Sequence, residues 1–197
     1  MARPKLHDDA LRERLLDRAA ELVFDAGVDT LSLRRLAAGA DTSTTAVYSL
    51  FGNKAGLLDS LYGEAARRFG ARIATVDATD DPVRDMVRLG MAYRDYALSE
   101  PHLYTIMFAR RRPGVDAPPE LARTLEPLVN AVRRGQAAGL LAAVPTEQIA
   151  LSCWGIAHGL VSLELAGTVP PGLDIGAGYE GALWAMVTGW VVAVRPS

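Results

Sequence analysis

Apolar residues recur at helical spacing along nearly the whole chain, and no run alternates apolar with polar positions as a half-buried strand would. This pattern predicts an all-α fold. In the first stretch Leu11, Leu15, Ala19, Leu22, Val23 and Ala26 form one stripe, Asp8 and Asp9 stand where caps belong, and Gly27 marks the stop. Ser32 opens a helix of about two turns with Leu33, Leu36, Ala37 and Ala40 on one face. After the break Gly39-Ala40-Asp41-Thr42, Ser43 caps the run Thr44 to Phe51. Asn53 then caps a longer helix striped by Leu57, Leu58, Leu61, Ala65, Phe69 and Ile73.

Two short helices joined by a tight turn cannot each bury a face alone, so they need the first helix as a third member. The expected organisation is a three-helix unit over residues 1–54, a connecting helix over 55–75, and a C-terminal domain over 76–197 that begins after Thr75-Val76-Asp77-Ala78-Thr79-Asp80-Asp81. Beyond Pro82 the periodicity restarts with Val83, Met86, Val87, Gly90, Met91 and Tyr93 to Leu98, and Glu100-Pro101 breaks it before a short segment ending in Phe108-Ala109. Residues 110–119 read as a loop, from three arginines, a glycine and three prolines. A helix is expected from Glu120 to Gly139, then two apolar helices over 149–167 and 181–194.

Those two apolar runs are not membrane spans. The first carries His158 and Glu164, and the second is shorter than the roughly 20 residues a helix needs to cross a bilayer. They read as helices buried in a core or a subunit interface. The N-terminus lacks the apolar segment of a signal peptide, which points to the cytoplasm. Cys153 is the only cysteine and His7, His102 and His158 the only histidines, so neither a disulfide framework nor a zinc site is expected. No cofactor or metal is implied. The chain also lacks a nucleophile beside a base at recognisable spacing, paired carboxylates on its apolar helices and a glycine-rich phosphate loop, so an enzyme is not expected.

The informative block is residues 32–58. In a helix-turn-helix the second helix lies in the major groove and offers its first residues to base edges, so these must be short, polar and outward-facing. Ser43, Thr44 and Thr45 meet that need, while Ala46, Val47 and Leu50 turn inward. Tyr48, one turn on, can reach a phosphate, and Lys54 joins its ammonium to the open N–H groups of a helix start to make an anion site. Ser32, also at a helix start, can do the same, and Arg34 and Arg35 add cationic reach. Each has a plainer role by itself: Ser32 and Ser43 as caps, Tyr48 in the core, Lys54 in solvent, Arg34 paired with Glu21 or Asp25. Their coincidence in one correctly spaced two-helix unit is what points to duplex DNA.

The block resembles the DNA-binding signature of the TetR family of repressors, in which Ser32, Leu36-Ala37, Ser43, Tyr48, Phe51, Lys54 and Leu57-Leu58 match in register. Asp41 and Thr42 replace the family's usual Gly and Val at the turn, where Asp tolerates a left-handed backbone better than most residues, and Leu50 replaces a frequent His or Tyr. Trp154, His158 and Gly159 are similar to the Trp, His and Gly of the C-terminal domain, called WHG, of one branch of that family. The resemblance implies a homodimer joined through the last two helices of each subunit, reading a palindromic operator, and a small-molecule effector held between helices of the C-terminal domain.

Leu160, Leu163, Trp184, Val187, Trp190 and Val191, with Trp154 and Val194, are more apolar surface than a monomer hides, which agrees with a dimer. Gly155, Gly159 and Gly189 would allow close helix approach. Tyr93, Tyr96, Leu103, Met107, Phe108, Trp154 and His158 are the expected pocket lining, so the effector should be largely apolar. His158 either meets it or satisfies a buried carbonyl. A C-terminal domain that only dimerises is the second reading, and repression and activation are both open.

Overall fold

The computed structural model describes residues 5–108 and 123–192. Among these residues the secondary structure is helical: α1 Lys5–Ala26, a 3-10 turn Val28–Thr30, α2 Leu33–Gly39, α3 Thr44–Phe51, α4 Lys54–Ile73, α5 Pro82–Ser99, α6 Pro101–Phe108, α7 Glu126–Ala137, α8 Thr146–Leu165 and α9 Ile175–Thr188. One isolated antiparallel bridge joins Leu141 to Val191. No helix is long and apolar enough to cross a membrane among the described residues. The helices form two compact units. The described residues up to Arg68, with Glu100 to Phe108, make the first, and Phe69 to Ser99, with those from Arg123 onward, make the second.

In the first unit Leu15, Leu16 and Ala19 of α1, Leu36 of α2, Val47 and Phe51 of α3, and Leu57 and Leu61 of α4 are buried together. That is the three-helix solution expected from the stripes, with α4 closing it. The α2–α3 turn places Asp41 at φ 49, the left-handed region its side chain tolerates. Ser43 then caps α3, its Oγ accepting from the Ala46 amide at 3.1 Å.

The α3–α4 corner is sharper. Gly52 adopts φ 71 and ψ −57, and the amide of Asn53 donates back to the Phe51 carbonyl at 2.8 Å, closing a γ-turn. Asn53 caps α4 through Gly56 N–H at 3.0 Å. The corner is so tight that a Cβ on Gly56 would lie 2.2 Å from the Phe51 carbonyl oxygen.

Two features of this unit are not visible in the apolar stripes. Helix α1 is already formed at Lys5, ahead of the Asp8-Asp9 pair expected to cap it. Residues Pro101–Phe108, placed by sequence in the C-terminal domain, form α6 and pack on α1, with the rings of Phe24 and His102 4.6 Å apart. Arg68 ties the same helices by charge, donating to Glu64 of its own helix at 2.7 Å, Asp17 of α1 at 2.8 Å and Glu100 at 3.5 Å. Hydrogen bonds from Arg67 hold the buried Glu64 carboxyl below its ordinary range, outweighing the opposing effect of burial, with Arg68 adding to the shift.

In the second unit α5 packs against α7, α8 and α9. Tyr179 of α9 is wholly buried, its hydroxyl donating to the carbonyls of Gly90 and Ala157 at 3.2 and 3.3 Å. The helices meet closely at Gly90, where a Cβ would lie 2.6 Å from a methyl of Leu183. Arg94 of α5 grips Glu164 of α8 with two bonds, 2.8 and 2.6 Å, so the acid in the apolar run is paired. Helix α9 stops at Thr188 instead of running on to 194. Past Gly189 the β-prone Trp190-Val191-Val192 pairs with Leu140–Ala142 through bonds of 2.9 and 3.0 Å. Val194, the 110–119 loop and the start of the expected Glu120 helix lie outside the described residues.

Candidate functional site

Helix α3 presents two arcs. At about 100° per residue, Thr44, Tyr48, Thr45 and Ser49 span an arc of about 140°, and all four are exposed, Tyr48 by 55%. On the opposite arc Val47 and Phe51 are buried and Ala46 and Leu50 half-buried. The helix is therefore anchored on one side and offers hydroxyls on the other. Ser43 is exposed beside this face, although its oxygen already caps the helix. Ser49 was missed by sequence reasoning, and its spacing of four from Thr45 was the available signal.

Around this face the remaining candidates divide. Arg34 and Arg35 of α2 are exposed, and Glu21, one of the acids that could have drawn Arg34, pairs with Arg18. Ser32 occupies the N-cap of α2 but its side chain makes no capping bond, so the capping role expected of it is not taken up. Lys54 differs most from expectation. Its ammonium donates to the Asp29 carbonyl at 3.0 Å, tying the start of α4 to the turn after α1. Two of its three protons remain for an anion at the same helix start.

The second unit holds a partly open apolar cavity of about 30 Å³, spread through narrow clefts between side chains. Phe69 and Ile73 from the last turn of α4, Met86, Leu89, Gly90 and Tyr93 from α5, Thr124, Leu125 and Leu128 leading into and along α7, Cys153, Trp154 and Ala157 from α8, and Leu183 and Met186 from α9 line it. No side chain in this lining is charged. Burial pushes the Cys153 thiol up to about 12, so it stands there as a neutral group.

Of the residues expected to line a pocket, Tyr93 and Trp154 do so. His158 lies behind them, its Nδ1 2.9 Å from the Tyr93 hydroxyl, and burial holds its pKa below the ordinary value, which favours the neutral ring. Tyr96 is buried against Phe69, with ring centroids 5.2 Å apart, and is not part of the wall. Leu103, Met107 and Phe108 belong to α6 in the first unit and do not line this cavity. Most of the wall was not legible beforehand, because a buried Leu or Met looks the same in sequence whether it faces a void or a neighbour.

The residues expected at a subunit interface also divide. Leu163 is 49% exposed and Val191 exposed, whereas Leu160, Trp184 and Trp190 are half-buried, Trp190 donating its indole N–H to Ser152 at 3.0 Å. Val187 is fully buried inside the subunit and is corrected to a core residue. The outward ridge of α8 is Leu151, Gly155, Gly159 and Leu163 at successive steps of four, flanked by Ile156, and Leu151 is 62% exposed. Nothing lies within 4 Å of where a Cβ on Gly155 or Gly159 would stand.

A three-helix unit whose recognition helix turns hydroxyls and a tyrosine outward, in one chain with a helical unit that holds an apolar cavity, defines a helix-turn-helix DNA-binding transcription regulator. Residues 15–61 match the family described as bacterial regulatory proteins, tetR family, and residues 86–186 match the tetracyclin repressor-like C-terminal domain. The chain belongs to the tetR family of regulators. No curated protein matches it.

Among solved structures it is similar to a protein of unknown function from Rhodococcus sp. RHA1, at 28% identity over 92% of this chain and 96% of that one, with a TM-score of 0.77. A TetR family transcription regulator from Marinobacter aquaeolei VT8 shares the fold at 21% identity, 95% and 99% coverage and a TM-score of 0.78. NalD, the secondary repressor of the MexAB-OprM multidrug efflux pump in Pseudomonas aeruginosa, shares it at 20% identity, 95% and 98% coverage and a TM-score of 0.68.

Proposed function

We propose that this regulator is a cytoplasmic homodimeric repressor that binds a palindromic operator and is released when a largely apolar small molecule enters the cavity of its second unit. The observation that carries the DNA reading is the division of α3 into an anchored arc and a hydroxyl-bearing arc, with Arg34, Arg35 and Lys54 around it to meet phosphates. Repression is supported by likeness to NalD, and the dimer by the open apolar ridge of α8. The effector class follows from the uncharged lining: a charged ligand would lose its hydration there with no partner. The same membership and the binding face favour a binding protein over an enzyme.

Helix α4 offers the route between effector and DNA. Lys54 is its first residue and Phe69 and Ile73 line the cavity near its last, so a ligand that displaces those two rotates or tilts the helix that carries Lys54. Such coupling requires the ligand to prefer the released state by about 1–3 kcal/mol.

Fluorescence anisotropy against the DNA flanking its own gene, across a salt series, tests the reading. Nanomolar, salt-dependent binding of one dimer per palindrome is expected, weakened by Lys54→Ala and by Tyr48→Phe. A wild-type protein that prefers no nearby DNA over random duplex at physiological salt would remove the local operator. A thermal-shift screen against a metabolite library tests the cavity: no stabilising ligand would leave the second unit as a dimerisation module.

A further inference from the structure

We infer that the recognition helix reads its half-site chiefly through thymine methyl groups, with Thr44 and Thr45 as the residues that select A·T pairs. This rests on the proposal that α3 enters the major groove, and it concerns which bases α3 then meets.

The exposed arc of α3 holds two threonines, a tyrosine and a serine, and the sequence of the helix, Thr44 to Phe51, contains no arginine, lysine, asparagine or glutamine. The side chains that discriminate bases by paired hydrogen bonds, Arg or Lys on guanine and Asn or Gln on adenine, are therefore missing from the element that meets the base edges. The nearby cations cannot replace them. Arg34 and Arg35 stand on α2, the helix that crosses the sugar-phosphate backbone in this motif, and the Lys54 ammonium is fastened to the Asp29 carbonyl at 3.0 Å.

A hydroxyl rotates to donate or accept and so serves either kind of base edge, which gives Ser43, Thr44, Thr45 and Ser49 little power to choose through hydrogen bonds. Ser43 is further restricted because its oxygen caps Ala46. What remains on this face with directional preference is carbon: the two Thr γ-methyls at the first and second positions of the helix, and the Tyr48 ring between them on the arc. The apolar group a base pair shows in the major groove is the C5-methyl of thymine. Thr44 and Thr45 are thus matched to thymine, and Tyr48 and Ser49 to the adjoining backbone.

Selection from a randomised duplex library with the full-length protein supplies the probe, and the enriched half-site is expected to carry A·T pairs where α3 enters the groove. Replacing those thymines by deoxyuridine, which removes only the methyl, should weaken the wild-type protein about fourfold per contacted thymine. A Thr44→Ser, Thr45→Ser variant keeps both hydroxyls and loses both methyls, and should bind the two duplexes alike.

G·C pairs under α3, or deoxyuridine bound as tightly as thymine by the wild type, would overturn the inference while leaving DNA binding in place. Full sensitivity to the methyl in the serine variant would overturn the assignment to Thr44 and Thr45. A library that yields no enriched sequence would overturn the operator reading and this inference together.

Discussion

At the level of single residues the α3–α4 corner shows how a reading helix is held by two glycines acting for different reasons. Gly52 needs its backbone: at φ 71 any side chain is disfavoured, yet nothing crowds the place a Cβ would take. Gly56 needs its space, with the Phe51 carbonyl oxygen 2.2 Å from that place. Gly52→Ala is therefore expected to cost about 1–2 kcal/mol through strain alone. Gly56→Ala must displace backbone, costs about 1–3 kcal/mol, and moves the end of α3 as it does so. Thermal melts should show both losses, at about 2–4 °C per kcal/mol for a chain of this size. Operator affinity separates them further: at a temperature where both variants are folded, Gly56→Ala should bind DNA more weakly than Gly52→Ala, and equal affinities would contradict the crowding argument.

At the level of elements, Asp85 organises the start of the second unit. Its carboxylate, in the first turn of α5, accepts from the Thr79 amide and hydroxyl at 2.8 Å each, from Arg134 of α7 at 2.9 Å and from Arg88 at 3.4 Å. Burial pushes its pKa upward, but the bonds from Thr79 and Arg134 together prevail and hold it below the ordinary range. A carboxyl depressed in the folded state stabilises the fold above its unfolded value of about 4 and loses that contribution as pH falls through the folded value. Asp85→Asn should thus lower stability by about 2 kcal/mol at neutral pH, with the gap to wild type narrowing below about pH 4. Melts at both pH values check this, and a gap independent of pH would show that the charge is not what acts.

The same pairing marks the limit of what the sequence discloses. Helix stripes, the Ser43 cap and the left-handed Asp41 were legible because they depend on neighbours within a turn or two. The Asp85–Arg134 contact and the Lys54–Asp29 bond join residues far apart in the chain, and no local pattern announces them. Trp190 to Val192 was misassigned to α9 because apolar β-prone residues suit a buried helix and a pairing segment equally. The packing of Pro101–Phe108 on α1 is not legible either, because an amphipathic pattern shows that a face is buried, not what buries it.

For the whole molecule, function as proposed requires two copies, and the surface offered for pairing is specific in shape. On α8, Leu151 and Leu163 project at either end of a ridge whose middle is Gly155 and Gly159, and on α9 the outward positions Gly178, Gly181 and Ala185 are small. Small residues between large ones give a groove into which the ridge of a second helix can settle at short range. The exposed leucines would gain most from such burial, and a charge at either place could not be accommodated there.

Leu163→Glu changes an exposed side chain and should leave the subunit core, including the fully buried Val187 and Tyr179, undisturbed. The expected outcome is a monomer by sedimentation with unchanged helical content and loss of operator affinity, because a lone subunit contacts a single half-site. Val187→Ala provides the contrast: it should lower stability by roughly 1–3 kcal/mol while the dimer persists at temperatures where the subunit is folded. A Leu163→Glu protein that remains dimeric and binds DNA as tightly as wild type would move the interface off this ridge.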